Sequence, residues 1–124
     1  MSITITSQDG QRLGVNAWNW GVLHFIVEKA NLFPEDTWEP ARYMGTDLTH
    51  EQAFQLADFL ESKVLPCLEP GERLFFDGTK THLPDDGTFY REPSDQWRNY
   101  SLHHEVLVSI LSLLRNSRGA VSFY

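Results

Sequence analysis

The residues best suited to chemistry are histidines that stand near carboxylates in the chain. His82, Asp85 and Asp86 lie together in an irregular segment, and one nitrogen with two oxygen donors suits a divalent cation. His24 and Glu28 stand four residues apart, a helical spacing that suits a metal-ligand pair or a histidine base with its orienting acid. A surface hydrogen bond is the commoner outcome for such a pair, and the first group matches no defined metal-binding loop. We therefore predict no bound metal or cofactor, with His82, Asp85 and Asp86 as the candidates if a metal site exists.

The motifs of common enzyme classes do not occur in the sequence. There is no glycine-rich phosphate loop, no paired-cysteine metal motif, no Gly-x-Ser-x-Gly nucleophile elbow and no His-Glu-x-x-His metal motif. We therefore predict no catalytic residues, and the sequence favours a binding function over an enzymatic one.

The acidic residues are concentrated in the middle of the chain. The formal net charge is -7, and residues 1–31 and 73–124 each carry equal numbers of acids and bases, so the whole excess falls in residues 32–72. The acids of this segment are Glu35, Asp36, Glu39, Asp47, Glu51, Asp58, Glu61, Glu69 and Glu72, against the bases Arg42 and Lys63. A surface rich in one sign of charge speeds the encounter with an oppositely charged partner. The alternative is a solvated helix face and loop that keep the protein soluble.

Aromatic side chains lie among the first of these acids. Trp and Tyr rings supply contact area at low cost in conformational entropy, which suits them to protein interfaces. An equally weighted alternative is that Trp38 and Trp97 cover the core beside the first helix. The predicted partner-binding residues are Glu35, Asp36, Trp38, Glu39, Tyr43 and Asp47.

Length and composition are those of one domain, residues 1–124. With 124 residues, 41% of them apolar and 22% charged, the chain can bury a core without disulfides or a structural metal. Cys67 is the only cysteine, so no intramolecular disulfide can form. No stretch resembles a signal peptide or a membrane span, which predicts a cytoplasmic location. The negative net charge argues against nucleic acid or an anionic membrane as the main partner.

The amino-terminal residues predict a β-hairpin. Apolar and polar residues alternate in 2–6 and again in 11–16. A three-residue loop with Gly10 in the left-handed conformation pairs Ile3 with Val15 and places the four apolar residues of the two strands on one face. A two-residue loop would split them between opposite faces, so we predict the register with the longer loop.

Three helices are predicted from caps and apolar spacing. The first, 16–31, begins with Asn16 as N-cap and is apolar over most of its circumference, which indicates a helix that is central or covered by another element. The second, 49–65, begins with a capping box at Thr49 and ends where a proline follows. The third, 101–116, carries an apolar face typical of a core helix.

The remaining segments predict strands. Residues 121–124 alternate again and predict a short strand that pairs with the hairpin. Between the last two helices, Leu74-Phe75-Phe76 and Thr88-Phe89-Tyr90 predict a second hairpin, because a structureless loop of that length is unusual in a small domain. The expected fold is α+β: a small antiparallel sheet, made from the amino-terminal hairpin and the carboxy-terminal strand, packed on three helices.

Three stretches of the chain resemble a group of small bacterial proteins of unassigned function. They are Asn16-Ala17-Trp18-Asn19-Trp20, Leu48-Thr49-His50-Glu51-Gln52-Ala53 with Leu56-Ala57-Asp58, and Gly119-Ala120-Val121-Ser122-Phe123-Tyr124. Because these are caps, a helix face and a final strand, the resemblance implies a shared fold and carries over no catalytic residue. Where such relatives have a short link after the first helix, this chain has the longer acidic and aromatic stretch 32–47.

We therefore predict a non-enzymatic cytoplasmic interaction protein whose acidic and aromatic surface binds a basic protein, in the manner of an immunity protein or an antitoxin. The alternative is a small-molecule-binding or metal-dependent hydrolytic domain that uses residues 82–86. A homodimer formed through the apolar first helix is the third hypothesis.

Overall fold

The computed structural model describes residues 2–38 and 46–124, which form two antiparallel sheets and three α-helices. The first sheet has the strand order β2-β1-β7-β3, with β1 (Ser2–Ser7), β2 (Arg12–Asn16), β3 (Thr46–Leu48) and β7 (Val121–Phe123). The second has the order β5-β4-β6, with β4 (Arg73–Leu74), β5 (Lys80–Thr81) and β6 (Leu102–His103). The helices are α1 (Ala17–Lys29), α2 (His50–Phe59) and α3 (His104–Asn116). The predicted α+β class is confirmed.

The amino-terminal hairpin has the predicted register. Ile3 pairs with Val15 and Ile5 pairs with Leu13, and Gly10 adopts the left-handed φ of 95° that the three-residue loop requires. The carboxy-terminal strand pairs with the hairpin as expected, with Phe123 opposite Ile5. The sequence did not predict β3, a three-residue strand that extends the sheet beyond β7.

The first two helices begin as predicted, whereas α3 begins at His104 because Leu102 and His103 form β6. The end of α2 also differs from the prediction. Asn16 caps α1 by accepting a hydrogen bond from the backbone N–H of Asn19 at 2.9 Å, and Thr49 forms the full capping box at the start of α2. After α2 the chain continues as a π-helical turn, Leu60–Val64, and a 3-10 turn, Leu65–Cys67. The proline in the last turn lacks an N–H and its ring crowds the carbonyl four residues earlier, so the regular helix cannot continue. None of the helices in the described part of the chain has the length and apolar character needed to cross a membrane.

The second hairpin does not use the strand that the sequence predicts. β4 pairs with β5, not with Thr88-Phe89-Tyr90, which has no regular structure. The turn between β4 and β5 is closed by a hydrogen bond from the N–H of Phe75 to the carbonyl of Thr79 at 2.9 Å, and Gly78 takes a φ of 86°. The glycine-containing turn directly after β4 therefore determines the partner of this strand, and the β-propensity of Thr88-Phe89-Tyr90 does not.

One core joins the first sheet to all three helices, and α1 lies near its centre. The sheet supplies residues that include Ile5, Val121 and Phe123, and α3 supplies Ile110 and Leu114. The fully buried residues of this core are Ile5, Val22, Leu23, Ala53, Leu56, Ala57, Leu60, Leu102, Leu107, Ile110, Leu114, Val121 and Phe123, all with 0% exposure.

Other parts of the same chain cover the apolar circumference of α1. Trp38 packs on one side of the helix, and Tyr100 packs so closely on the other that a Cβ at Gly21 would lie 2.9 Å from its ring. Phe76 contacts Phe25 edge-on. Among the large apolar side chains of α1, only Trp18 is more than a third exposed. The homodimer through α1 stays a prediction. Because other parts of the chain cover this helix, little of its apolar surface is left for a dimer interface.

Candidate functional site

Acidic side chains lie on the exposed face of α2 and in the segment that follows α1. Glu51, Gln55 and Asp58 are exposed and recur at four- and three-residue spacing, so they share one face of the helix. The side-chain amide of Gln55 donates a hydrogen bond to the carbonyl of Leu32 at 3.3 Å, which joins this face to the segment after α1. We define the acidic face as the four exposed carboxylates of these two elements, Glu35, Asp36, Glu51 and Asp58.

The segment that carries Glu35 and Asp36 is anchored by a buried tryptophan. The carbonyl of Pro34 accepts hydrogen bonds from the N–H groups of Thr37 and Trp38, at 2.9 and 3.0 Å, and closes a turn around the two acids. Trp38 is only 3% exposed, and its indole N–H donates to the carbonyl of His24 at 3.1 Å. The structure therefore places Trp38 in the core beside α1, as the alternative of a covering role predicted. Glu35 and Asp36, in contrast, project into solvent.

Among the described residues, basic side chains neutralise only part of the acidic face. The guanidinium of Arg115 lies 2.7 Å from Asp58 Oδ1 and 2.6 Å from Glu61 Oε2, and these hydrogen bonds, that of Glu61 first, raise the pKa of Arg115. Within the described ranges, 2–38 and 46–124, no Lys, Arg or His nitrogen lies within 4 Å of the carboxylates of Glu35, Asp36 or Glu51. Three of the four carboxylates therefore have no basic neighbour in the part of the chain that the structure describes.

Asp47, another predicted partner-binding residue, is exposed on β3 but has bonds within its own sheet. Its carboxylate accepts hydrogen bonds from Ser122 Oγ at 2.6 Å and from the hydroxyl of Tyr124 at 2.8 Å. These two donors, Ser122 first, hold the pKa of Asp47 below its ordinary value. Asp47 thus fastens the edge strand to β7. The predicted residues Glu39 and Tyr43 lie outside the described residues.

The structure does not bring His82, Asp85 and Asp86 together as a ligand set, because their donor atoms do not all lie within 4.8 Å of one another. His82 Nε2 lies 3.4 Å from a carboxylate oxygen of Glu69 instead. Asp85 and Asp86 turn back on their own loop, where they accept hydrogen bonds from the N–H groups of Gly87 and Thr88. Hydrogen bonds of local Asx turns therefore engage the two carboxylates that the sequence offered only as candidate metal ligands.

Asp85 and Asp86 also line a surface pocket between the second sheet and α1. The pocket encloses about 130 Å³ and is walled by side chains that include Trp18, Phe89 and Arg98. Pockets that enclose small organic ligands usually measure roughly 300–1,000 Å³. Hydrogen bonds from Thr88 lower the pKa of Asp86, whereas a general acid that works near neutral pH needs a raised value. The pocket therefore gives little support to the small-molecule or hydrolytic alternative.

His24 lies in the core and not in a surface pair with Glu28. It is 2% exposed, its ring is stacked on Trp38 with centroids 5.2 Å apart, and Trp20 contacts it from another side. The helical spacing of His24 and Glu28 was therefore not a signal for a surface site.

The sequence analysis missed a cluster formed by Glu69, Glu72 and His82. Their donor atoms all lie within 4.8 Å of one another, and no other such group of three or more occurs in the part of the chain that the structure describes. The available signal was the Pro70-Gly71 dipeptide between the two glutamates, which predicts a turn that brings their side chains together.

Comparisons with protein-family models, curated proteins and solved structures found no match to this chain. The resemblance to small bacterial proteins therefore carries no further argument.

Proposed function

We propose that the protein is a non-enzymatic cytoplasmic interaction protein that binds a basic protein partner through the acidic face, in the manner of an immunity protein or an antitoxin. The observation that carries the proposal is the exposure of Glu35, Asp36 and Glu51 with no basic side chain of the described residues within 4 Å. These carboxylates remain available to Lys and Arg side chains of another protein.

Exposed charge of one sign favours association by two effects. Its field extends about 8–10 Å at physiological salt, so it orients and accelerates a basic partner before contact. At contact, Arg and Lys side chains form charge-assisted hydrogen bonds with the carboxylates. Phe54, which is 37% exposed, stands three residues after Glu51 and four before Asp58, so it adds an apolar contact within the face.

Contacts beneath the acidic face hold both of its elements, α2 and the turn with Glu35 and Asp36, in a defined position, which favours binding. The capping box of Thr49 fixes the start of α2, and Trp38 anchors the turn that carries Glu35 and Asp36. Binding to such a surface costs less conformational entropy than binding to a disordered acidic loop.

The test is capture of a partner from an extract of the native organism with charge variants of the tagged protein. The double variant Glu35→Gln with Asp36→Asn removes two charges from the acidic face. The matched control, Glu92→Gln with Asp95→Asn, removes two charges from a segment whose acids and bases balance. We expect mass spectrometry to identify a basic protein whose recovery falls several-fold with the first variant and in high salt, but stays at the wild-type level with the control. Recovery of no basic protein, or equal loss with both variants, would contradict the proposal.

A further inference from the structure

Glu69, Glu72 and His82 provide three metal-ligating atoms from two separate segments of the chain. Two are carboxylate oxygens and one is an imidazole nitrogen, and all three lie within 4.8 Å of one another. The cluster follows the α2 helix and its two irregular turns in the chain, and it shares no residue with the acidic face. This donor set differs from the His82, Asp85 and Asp86 set that the sequence suggested.

A tight turn gives the two glutamates their positions. The N–H of Glu72 donates to the carbonyl of Glu69 at 2.9 Å, and Gly71 takes a φ of 83°, as a turn with Pro70 before the glycine requires. His82 follows β5, and its imidazole lies against the turn, since a Cβ at Gly71 would be 4.0 Å from the ring. The second sheet therefore delivers the nitrogen donor to the two carboxylates.

The burial of Glu72 makes a cation favourable at this position. Glu72 is only 9% exposed, and one of its oxygens accepts the N–H of Glu69 at 2.8 Å. Within the described residues, no Lys or Arg nitrogen lies within 4 Å of the carboxylate of Glu72 or Glu69. A cation placed between the two carboxylates is attracted to both of them, and the partial exclusion of water around Glu72 strengthens that attraction.

The spacing of the donors fits a small divalent ion. Ligand atoms bound at about 2.0–2.1 Å to a tetrahedral zinc ion lie roughly 3.3 Å apart. His82 Nε2 and Glu69 Oε2 are already 3.4 Å apart, and both side chains are exposed, at 59% and 75%, so they can rotate to close the remaining distance to Glu72. One imidazole with two carboxylates suits Zn²⁺ better than Mg²⁺ or Ca²⁺, which prefer oxygen ligands alone.

We propose that Glu69, Glu72 and His82 form a binding site for one divalent first-row metal ion, with Zn²⁺ as the best match. The three protein ligands leave a fourth tetrahedral position for water or for a group from another molecule. This proposal does not depend on the proposed function, because the cluster shares no residue with the acidic face.

The test titrates ZnCl₂ into chelator-treated full-length protein by isothermal titration calorimetry, with native mass spectrometry to count the ions. We expect one Zn²⁺ per chain and binding at least about tenfold weaker in Glu72→Gln and in His82→Gln. His50→Gln is the control, because it removes an exposed histidine that is not part of the cluster and should leave the affinity unchanged. Glu72→Gln keeps an oxygen that can accept the Glu69 N–H, and His82 is exposed, so both variants should fold.

Thermal unfolding with and without Zn²⁺ gives an independent measurement, because a ligand that binds only the folded state raises the melting temperature. The wild type should gain stability on addition of Zn²⁺, and His82→Gln should not. The proposal would be overturned if no stoichiometric Zn²⁺ binds, if both cluster variants bind as tightly as the wild type, or if Mg²⁺ or Ca²⁺ binds more tightly than Zn²⁺.

Discussion

The indole N–H of Trp38 donates a hydrogen bond to the backbone carbonyl of His24, with the two atoms 3.1 Å apart. This bond joins the segment after α1 to the helix itself, and the Trp38 ring stacks on the His24 ring below it. Glu35 and Asp36 are held in the turn that ends at Trp38. Trp38, which the sequence analysis predicted as a partner-binding residue, thus positions Glu35 and Asp36 at the surface.

Loss of this anchor should destabilise the protein. Trp38→Phe removes the indole donor and leaves a smaller ring in the core, which should lower the free energy of unfolding by about 1–3 kcal/mol. Trp97→Phe changes the same residue type at a position 38% exposed and should cost less than about 1 kcal/mol. Urea denaturation of the three proteins measures both values. Equal stability of Trp38→Phe and the wild type would contradict the anchoring role.

The capping box should contribute to the stability of α2. Thr49→Ala removes the oxygen that accepts the N–H of Gln52 at 3.1 Å, and we expect it to cost about 1 kcal/mol. Thr49→Ser retains an acceptor and should recover most of that loss. Chemical denaturation of both variants tests the assignment, and an equal cost for serine and alanine would refute it.

Asp47 should make stability depend on pH in the acid range. Hydrogen bonds from Ser122 and Tyr124 lower the pKa of Asp47 from 3.8, so the folded state favours its ionised form more than the unfolded state does. The resulting stabilisation is fully present above the unfolded value and is lost as the pH falls through the folded pKa. The stability difference between wild type and Asp47→Asn should therefore shrink below about pH 3.8. Ser122→Ala should weaken this dependence, and a difference that grows in acid would contradict it.

Removal of Arg115 should make the acidic face more negative at little cost in stability. Exposed ion pairs contribute up to about 1 kcal/mol, so Arg115→Gln should change the free energy of unfolding by no more than that. It also releases Asp58 and Glu61 from their shared guanidinium, which should increase recovery of a basic partner. Arg91→Gln makes the same change of charge at another exposed position and should leave recovery unchanged. Equal gains for both arginine variants would show only a net-charge effect.

The sequence predicted those parts of the fold that local patterns specify. Ile3 and Val15 fixed the hairpin register because only one loop length put the apolar residues on one face. Thr49 marked the start of α2 because the capping box lies within four residues. By contrast, β3 is three residues long and pairs with residues more than seventy positions away, so no local pattern marked it.

The candidate sites were less predictable because they depend on which distant segments meet. His82 stands near Asp85 and Asp86 in sequence, yet the pairing of β4 with β5 directs it to the turn at Glu69 and Glu72. Arg115 reaches Asp58 and Glu61 only because α3 packs beside α2. Spacing along the chain carries no information on either contact.

The measurement that tests the central claim most directly is partner recovery by two variants of opposite sign, assayed side by side. If the acidic face binds a basic protein, Glu35→Gln with Asp36→Asn must recover less of that protein than the wild type, and Arg115→Gln must recover more. A basic partner whose recovery responds to neither change, or responds to both in the same direction, would show that binding does not occur through this surface.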